Sequence, residues 1–435
     1  MSTRNMNAST RSASAHLWLK LTETLASAPQ WARRTTGLAL FIAGLLASLH
    51  VAPRQGSDFL SFYMMGKGIL TGANIYDAAP RREITDLLGL VGPAGMFYPP
   101  ATGFVVAPFS ALPYDFAKYA WFLTLNLAVI LGVRALVRFS APRAESYVWM
   151  CAVGLVLLSA CLRWGLMLSQ VAPLVLGVLC FFFVALYSDR PRLAVALAVL
   201  ATACKMTLAV PFVGLLLLRR RVFAAGIVGG AWMLLNVVGF LRLGKGAFGV
   251  YMANIATVDS LSIGTNINMP NPWAGISLPR TDWTFFLYGL TGNYAAARLA
   301  SLAGCALLSL YLLYLGLRAR APHSRLTGAA FLGPLIALGT VCVYHHQYDL
   351  CLFIAPVLIA YFNRNTTSTP GIALVLMAPL LLMIFLLPIG AAQSLLESQF
   401  GPIGFAFLKL SFPIAVTLAL VGLLLDVRRA SLRAI

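Results

Sequence analysis

Apolar runs long enough to cross a bilayer recur along most of this chain, and nothing else narrows its fold as much. A helix needs about 17 to 25 predominantly apolar residues to span the hydrocarbon core. Water is missing there, so the backbone must bond internally, which leaves helices or closed barrels. A barrel would alternate in segments of about ten residues, whereas residues 171–187 and 222–235, for example, run apolar without such alternation. With 60% hydrophobic and 10% charged residues and a mean hydropathy of +0.84, a soluble domain is excluded. The expected fold class is an all-α polytopic membrane protein.

Spans are expected near residues 36–52, 101–113, 116–138, 147–166, 170–187, 192–218, 222–242, 294–317, 326–343, 348–362, 370–390 and 403–425. That makes about twelve transmembrane helices, with a cytosolic tail at 1–35, a membrane domain at 36–425 and a second cytosolic tail at 426–435. Two long polar loops, 53–100 and 243–292, interrupt them, and the first carries amphipathic helices near Phe59–Leu70 and Ala79–Leu90. Loops of that length are usually functional or disordered.

The net charge of +19 does not indicate nucleic acid, because the Lys and Arg residues cluster beside apolar runs as the positive-inside bias requires. With the N-terminus inside, Arg219-Arg220-Arg221, the Arg318–Arg325 stretch and Arg428-Arg429-Arg433 all fall in the cytoplasm, and both long loops fall outside. The loop with Arg134, Arg138 and Arg143 goes against the rule. Seven cysteines include no C-x-x-C pair, so neither a zinc site nor a disulfide framework is expected. The N-terminal stretch lacks an apolar core with a small-residue cleavage site, so the first helix is expected to be retained.

Only 13 acids are present. Asp58 stands apart because it lies just beyond the first span, ahead of Phe59, Phe62 and Tyr63. A carboxylate near hydrocarbon is a functional-site hypothesis by default, and burial against those rings would raise its pKa toward a value useful for proton abstraction. Capping of the following helix by Ser57 or Asp58 is the plain alternative. Lys205 sits in the middle of an apolar run, where a lysine costs about 2.5 to 3.5 kcal/mol, and so needs an anion, a carbonyl or an aqueous cavity. Arg163 and Gln170 flank a break at Gly165–Ser169. In Tyr344-His345-His346-Gln347-Tyr348-Asp349 the adjacent histidines make a poor metal pair, since helical neighbours point about 100° apart; a role toward phosphate or a plain aromatic and polar belt at the interface suits them better. Asn266, Asn268 and their neighbours offer amides beside Trp273, which suits sugar hydroxyls or a plain turn-rich loop. Phosphate-cradling Gly loops, H-E-x-x-H and nucleophile elbows do not occur.

Together, the acid after the first span, Asn74-Ile75-Tyr76-Asp77, Phe97-Tyr98-Pro99-Pro100, Trp121, Asn126, Ser169-Gln170, Lys205, Pro211, Arg219-Arg220-Arg221 and the late His pair resemble glycosyltransferase family 87. The resemblance implies the GT-C fold and a bacterial inner-membrane enzyme, similar to mannosyltransferases that use polyprenyl-phosphate-mannose. It departs from the family pattern where Ser169 replaces a usual Gly and Met206 a usual Pro. By that resemblance Asp58 is the catalytic base and His345 or His346 contacts the donor phosphate. Lys205, Arg163 and Arg280 join them as phosphate candidates, and Tyr63, Tyr76, Tyr98, Gln170, Asn266 and Asn268 as substrate candidates.

Such chemistry needs a base for the acceptor hydroxyl and cationic or hydrogen-bonding groups for the departing phosphate. Direct attack inverts the anomeric centre, and because the leaving group is a phosphate monoester, no metal or other cofactor is expected. The expected partners are a polyprenyl-phosphate sugar (mannose or another hexose or pentose), a lipid or glycan acceptor and membrane lipid, with the site on the periplasmic face. The competing readings are a transporter or lipid flippase with Lys205 in its translocation cavity, and a structural subunit of an envelope-assembly complex.

Overall fold

A computed structural model describes residues 27–51, 57–89, 96–258, 269–274, 279–319, 324–342, 345–362, 371–385 and 389–433. The chain runs through α1 (Gln30–Val51), α2 (Ser57–Thr71), α3 (Ala78–Leu87), α4 (Pro100–Ser110), α5 (Tyr114–Ser140), α6 (Ser146–Leu158), α7 (Ala160–Met167), α8 (Ala172–Tyr187) and α9 (Pro191–Cys204). It continues through α10 (Val210–Leu218), α11 (Val222–Leu243), α12 (Ala247–Val258), α13 (Trp283–Thr291), α14 (Tyr294–Arg318), α15 (Arg325–Cys342), α16 (Ile354–Phe362), α17 (Gly371–Phe385) and α18 (Ile389–Arg433). Short 3-10 turns, Met206–Ala209 and Gln347–Phe353, precede α10 and α16, and the described residues contain no strand beyond an isolated Arg280–His346 bridge.

The helix starts follow local chemistry. Pro100 and Pro191 open α4 and α9, where a missing amide costs nothing. Asp282 caps α13 by accepting from the Phe285 amide at 3.0 Å, and Asn293 caps α14 by accepting from Ala296 at 3.1 Å. The outer faces are apolar as well. On α5, Phe116, Leu123, Leu127 and Leu131 are exposed while Ala117, Trp121, Leu125, Val129 and Val133 are buried. A helix apolar on both faces is one whose solvent is lipid.

Close crossings bind the spans together. A Cβ added at Gly44 of α1 would lie 2.6 Å from the Gly154 carbonyl of α6, and one at Gly132 of α5 would lie 2.5 Å from the Gly177 carbonyl of α8. In lipid, where burial drives association weakly, small residues at such crossings let backbones approach and gain dispersion contact.

Six described segments are long and apolar enough to span: α1, α5, α11, α14, α15 and Ala406–Leu425 within α18. A seventh arises if α6 and α7, bent by 63° at Ser159, count as one. The structure does not reproduce the expected twelve as continuous helices: the segment expected at 147–166 is the bent α6–α7 pair, and that at 170–187 is α8, whose 16 residues are short for a span. The segment expected at 101–113 is α4, an 11-residue helix about 17 Å long. It is enclosed, with Gly103 against Met65 and Ile69 of α2. The segment expected at 192–218 is broken at Lys205, which is extended (φ −159°, ψ 102°). The segment at 348–362 opens as a 3-10 turn, and that at 370–390 runs past the described residues. α1 starts at Gln30, ahead of the expected boundary, so Arg33 and Arg34 lie in its first turns. The helices expected in the first loop are present as α2 and α3.

Candidate active site

Asp58 lies in the first turn of α2, and its neighbours in the helix bury themselves among aromatic rings. Phe59 stacks on Trp121 at 6.3 Å and meets Tyr114 at 5.8 Å, and Phe62 meets Tyr98 at 4.7 Å. The partly buried carboxylate accepts a hydrogen bond from Gln170 Nε2 at 2.7 Å, not from an amide of its own helix. Burial raises the Asp58 pKa above the usual carboxylate range, while the Gln170 bond and the Lys205 charge pull it down. For Asp58 the contact found among the described residues is thus tertiary, while the Ser57 side chain, the other capping candidate, lies outside them.

Gln170 is held in place by a break. Ser169 adopts the left-handed conformation (φ 55°), uncommon for a residue with a side chain, and Trp121 Nε1 donates to its carbonyl at 2.9 Å. The Tyr98 hydroxyl then donates to Gln170 Oε1 at 3.3 Å, which completes a Tyr98–Gln170–Asp58 chain. Burial first, then the charges of Asp58 and Asp349, raise the Tyr98 pKa. Tyr98 thus stands within electrostatic reach of both acids.

The second half of the site forms where α9 stops. The break at Lys205 frees carbonyls in an apolar setting, and Thr102 of α4 donates to those of Ala203 (3.1 Å) and Cys204 (3.3 Å). Broken helices persist at membrane depth only when such groups find partners. The extended Lys205 backbone carries its Nζ to Asp349 Oδ2 at 2.6 Å and over the Tyr348 ring at 5.4 Å. The same Oδ2 accepts from His345 Nδ1 at 2.7 Å. Lysine, aspartate and histidine are all buried.

An extended stretch positions the histidines. The Thr281 amide donates to the His345 carbonyl at 3.0 Å, and Arg280 pairs with His346 in the isolated bridge. His346 Nδ1 donates to the Pro279 carbonyl at 3.1 Å. Burial holds His345 below the ordinary histidine range, against the opposing pull of Asp349. Burial likewise pushes His346 down, to about 4.

The structure thus unites Asp58, Gln170, Tyr98, Lys205 and His345 from the sequence candidates. It uses others differently. The Tyr63 hydroxyl donates to the Leu112 carbonyl at 2.9 Å, and that of Tyr76 to the Tyr98 carbonyl at 2.8 Å, so both support the framework and Tyr76 sits directly behind Tyr98. Arg280 is bound by Asp282, with Nε 2.8 Å from Oδ2. Arg163 Nε is enclosed without a hydrogen-bond partner among the described residues, and no bond joins it to either acid of the site. Asn266 and Asn268 lie outside the described residues.

Sequence reasoning missed Asp349, which it named only as the end of the Tyr344–Asp349 stretch and gave no role. Its spacing of four residues from His345 was the available signal. Thr102 gave no signal, because its role exists only once α4 meets the end of α9.

The model of glycosyltransferase family 87 matches residues 97–337, a stretch that contains Tyr98, Gln170, Lys205 and Arg280. Asp58 lies before it and His345 to Asp349 after it. No curated protein matches the chain. The match covers more than half of the 435 residues, the transporter and structural-subunit readings fall away, and the chain belongs to glycosyltransferase family 87 as an enzyme of the membrane.

Proposed function

We propose that this enzyme transfers a hexose or pentose, mannose being the leading choice, from a polyprenyl-phosphate donor to a lipid or glycan acceptor, with inversion, at the outer face of a bacterial inner membrane. In this reading the described helices belong to a GT-C fold. Asp58 takes the proton of the acceptor hydroxyl, while Gln170 orients its carboxylate and Tyr98 orients Gln170. Lys205 and His345 receive the phosphate of the donor. The acceptor is positioned between the two halves, close to Tyr98.

The observation that carries this reading is the single electrostatic neighbourhood formed by a raised carboxylate and a Lys205–Asp349–His345 cluster from distant parts of the chain. Base and cation must face one reacting centre for an in-line displacement, and a carboxylate partly withdrawn from water is a stronger proton acceptor near neutral pH. Burial in a multi-pass protein also suits a donor whose tail stays in lipid.

The test is release of polyprenyl phosphate from a synthetic polyprenyl-phosphate sugar by purified protein in lipid, with candidate acceptors supplied. Asp58→Asn is expected to abolish transfer while donor binding persists. Wild-type turnover by Asp58→Asn would remove the base assignment.

A further inference from the structure

The proposed roles leave three enclosed atoms unused. His345 Nε2, Gln347 Oε1 and Asp349 Oδ1 have no hydrogen-bond partner among the described residues, although all three side chains are buried. Buried polar groups are nearly always paired, so three unpaired atoms within five residues of chain call for an explanation, of which a catalytic role is one. Asp349 Oδ2 fixes the imidazole by accepting from Nδ1, so Nε2 is the ring atom left to face that ligand.

Resting on the donor reading above, we propose that His345 is the acid of the reaction, giving its Nε2 proton to the phosphate oxygen that leaves the sugar. Asp349 is its positioning residue, setting the tautomer and holding the imidazolium.

The step balances. The acceptor O–H breaks toward Asp58, the acceptor oxygen bonds to the anomeric carbon, and the bond from that carbon to the phosphate oxygen breaks with its electron pair left on oxygen. That oxygen takes the Nε2 proton. His345 ends neutral with Nδ1–H still on Asp349, Asp58 holds the proton of the acceptor, and the lipid departs as a hydrogen phosphate. Exchange with solvent resets both groups.

Proton affinity favours His345 over Lys205 for this transfer. The second ionisation of a phosphate monoester falls near about 6 and that of imidazole near about 6.5, whereas an ammonium lies near about 10.4. Burial holds His345 below that ordinary imidazole range, which makes its imidazolium a stronger acid than the ammonium by a wider margin. Lys205, held 2.6 Å from Asp349, serves as a fixed charge.

The charged groups facing His345 are Asp349, Lys205 and Asp282, the last paired with Arg280. Burial and Lys205 keep the resting ring neutral, and the two carboxylates oppose them. An arriving phosphodiester adds a further anion at Nε2, so donor binding charges the ring and takes up a proton.

The experiment compares wild type, His345→Gln and Asp349→Asn as full-length proteins in lipid nanodiscs, with a synthetic polyprenyl-phosphate sugar and a productive acceptor. His345→Gln keeps a hydrogen-bond donor but cannot transfer a proton. It is expected to hold the donor within about threefold of wild type and to lose kcat by about 10²- to 10⁴-fold. The alkaline limb of the kcat profile should vanish in this variant. Asp349→Asn, if it still binds donor, should move that limb to lower pH, because the imidazolium loses its counter-charge. A phosphorothioate donor, whose leaving group is less basic, should suffer less from His345→Gln.

An unchanged kcat in His345→Gln, or a loss confined to donor binding with the alkaline limb intact, would overturn the proton transfer and leave only a phosphate contact. Failure of wild type to release polyprenyl phosphate at any pH would overturn the donor reading, and this inference with it.

Discussion

Asp58 and Lys205 face opposite electrostatic problems, and each makes a prediction. Burial raises Asp58, so the base form accumulates only as pH climbs past the ordinary carboxylate range. The acid limb of kcat/KM is therefore expected above the usual value of about 4. Gln170→Leu removes a bond that favours the charged form, so that limb should move further up. A profile flat down to the ordinary carboxylate range in both proteins would mean that Asp58 is not the base. Lys205→Met leaves Asp349 buried with only His345 as a partner, and breaking such a pair costs about 3 to 5 kcal/mol. Thermal unfolding should show the loss. Lys205→Met with Asp349→Leu should recover much of that stability without recovering transfer, since well-packed apolar side chains often replace buried pairs.

At the scale of elements, breaks and crossings divide the work. The breaks at Ser159, Ser169 and Lys205 give polar groups a place inside an apolar bundle. Thr102→Val should leave the Ala203 and Cys204 carbonyls without that donor, at a cost of about 1 to 3 kcal/mol, and reduce activity through Lys205. The crossings tolerate no added volume. Gly132→Val is expected to destabilise by about 1 to 3 kcal/mol, because its side chain meets the Gly177 backbone. Gly230→Ala, with open space around the added carbon, should be neutral or stabilising by up to about 1 kcal/mol. Denaturation of the two variants in the same lipid separates the effects. The sequence foretold α2 and α3 because their boundaries are written in local residues. It could not foretell that 101–113 would shorten to an enclosed α4, since that depends on what Gly103 packs against.

For the whole molecule, charge and site make one testable arrangement. The 3-10 turn Met206–Ala209 and α10 together run from Lys205 to the Arg219-Arg220-Arg221 cluster, so the site and that cluster lie at opposite ends of one helical segment. If the cluster is cytoplasmic, a cysteine at Arg220 should react with an impermeant maleimide only in opened cells, and one at Asp86 should react in intact cells. The reverse pattern would place the site inside.

The sequence by itself determined the solvent of this protein, and with it the helical class, because only internally bonded backbone survives in hydrocarbon. It also singled out Asp58 and Lys205, since an ion in an apolar run is costly wherever the chain folds. The Tyr-Pro-Pro stretch, the Ser169-Gln170 turn and the His pair were enough to bring the family into view. Only the tertiary structure decided what those ions meet. Lys205 and Asp349 are 144 residues apart and Asp58 and Gln170 are 112 apart, and no local pattern encodes such pairings. It also decided where helices end inside the bundle, because a break such as that at Lys205 persists only where another helix supplies partners for the carbonyls it exposes.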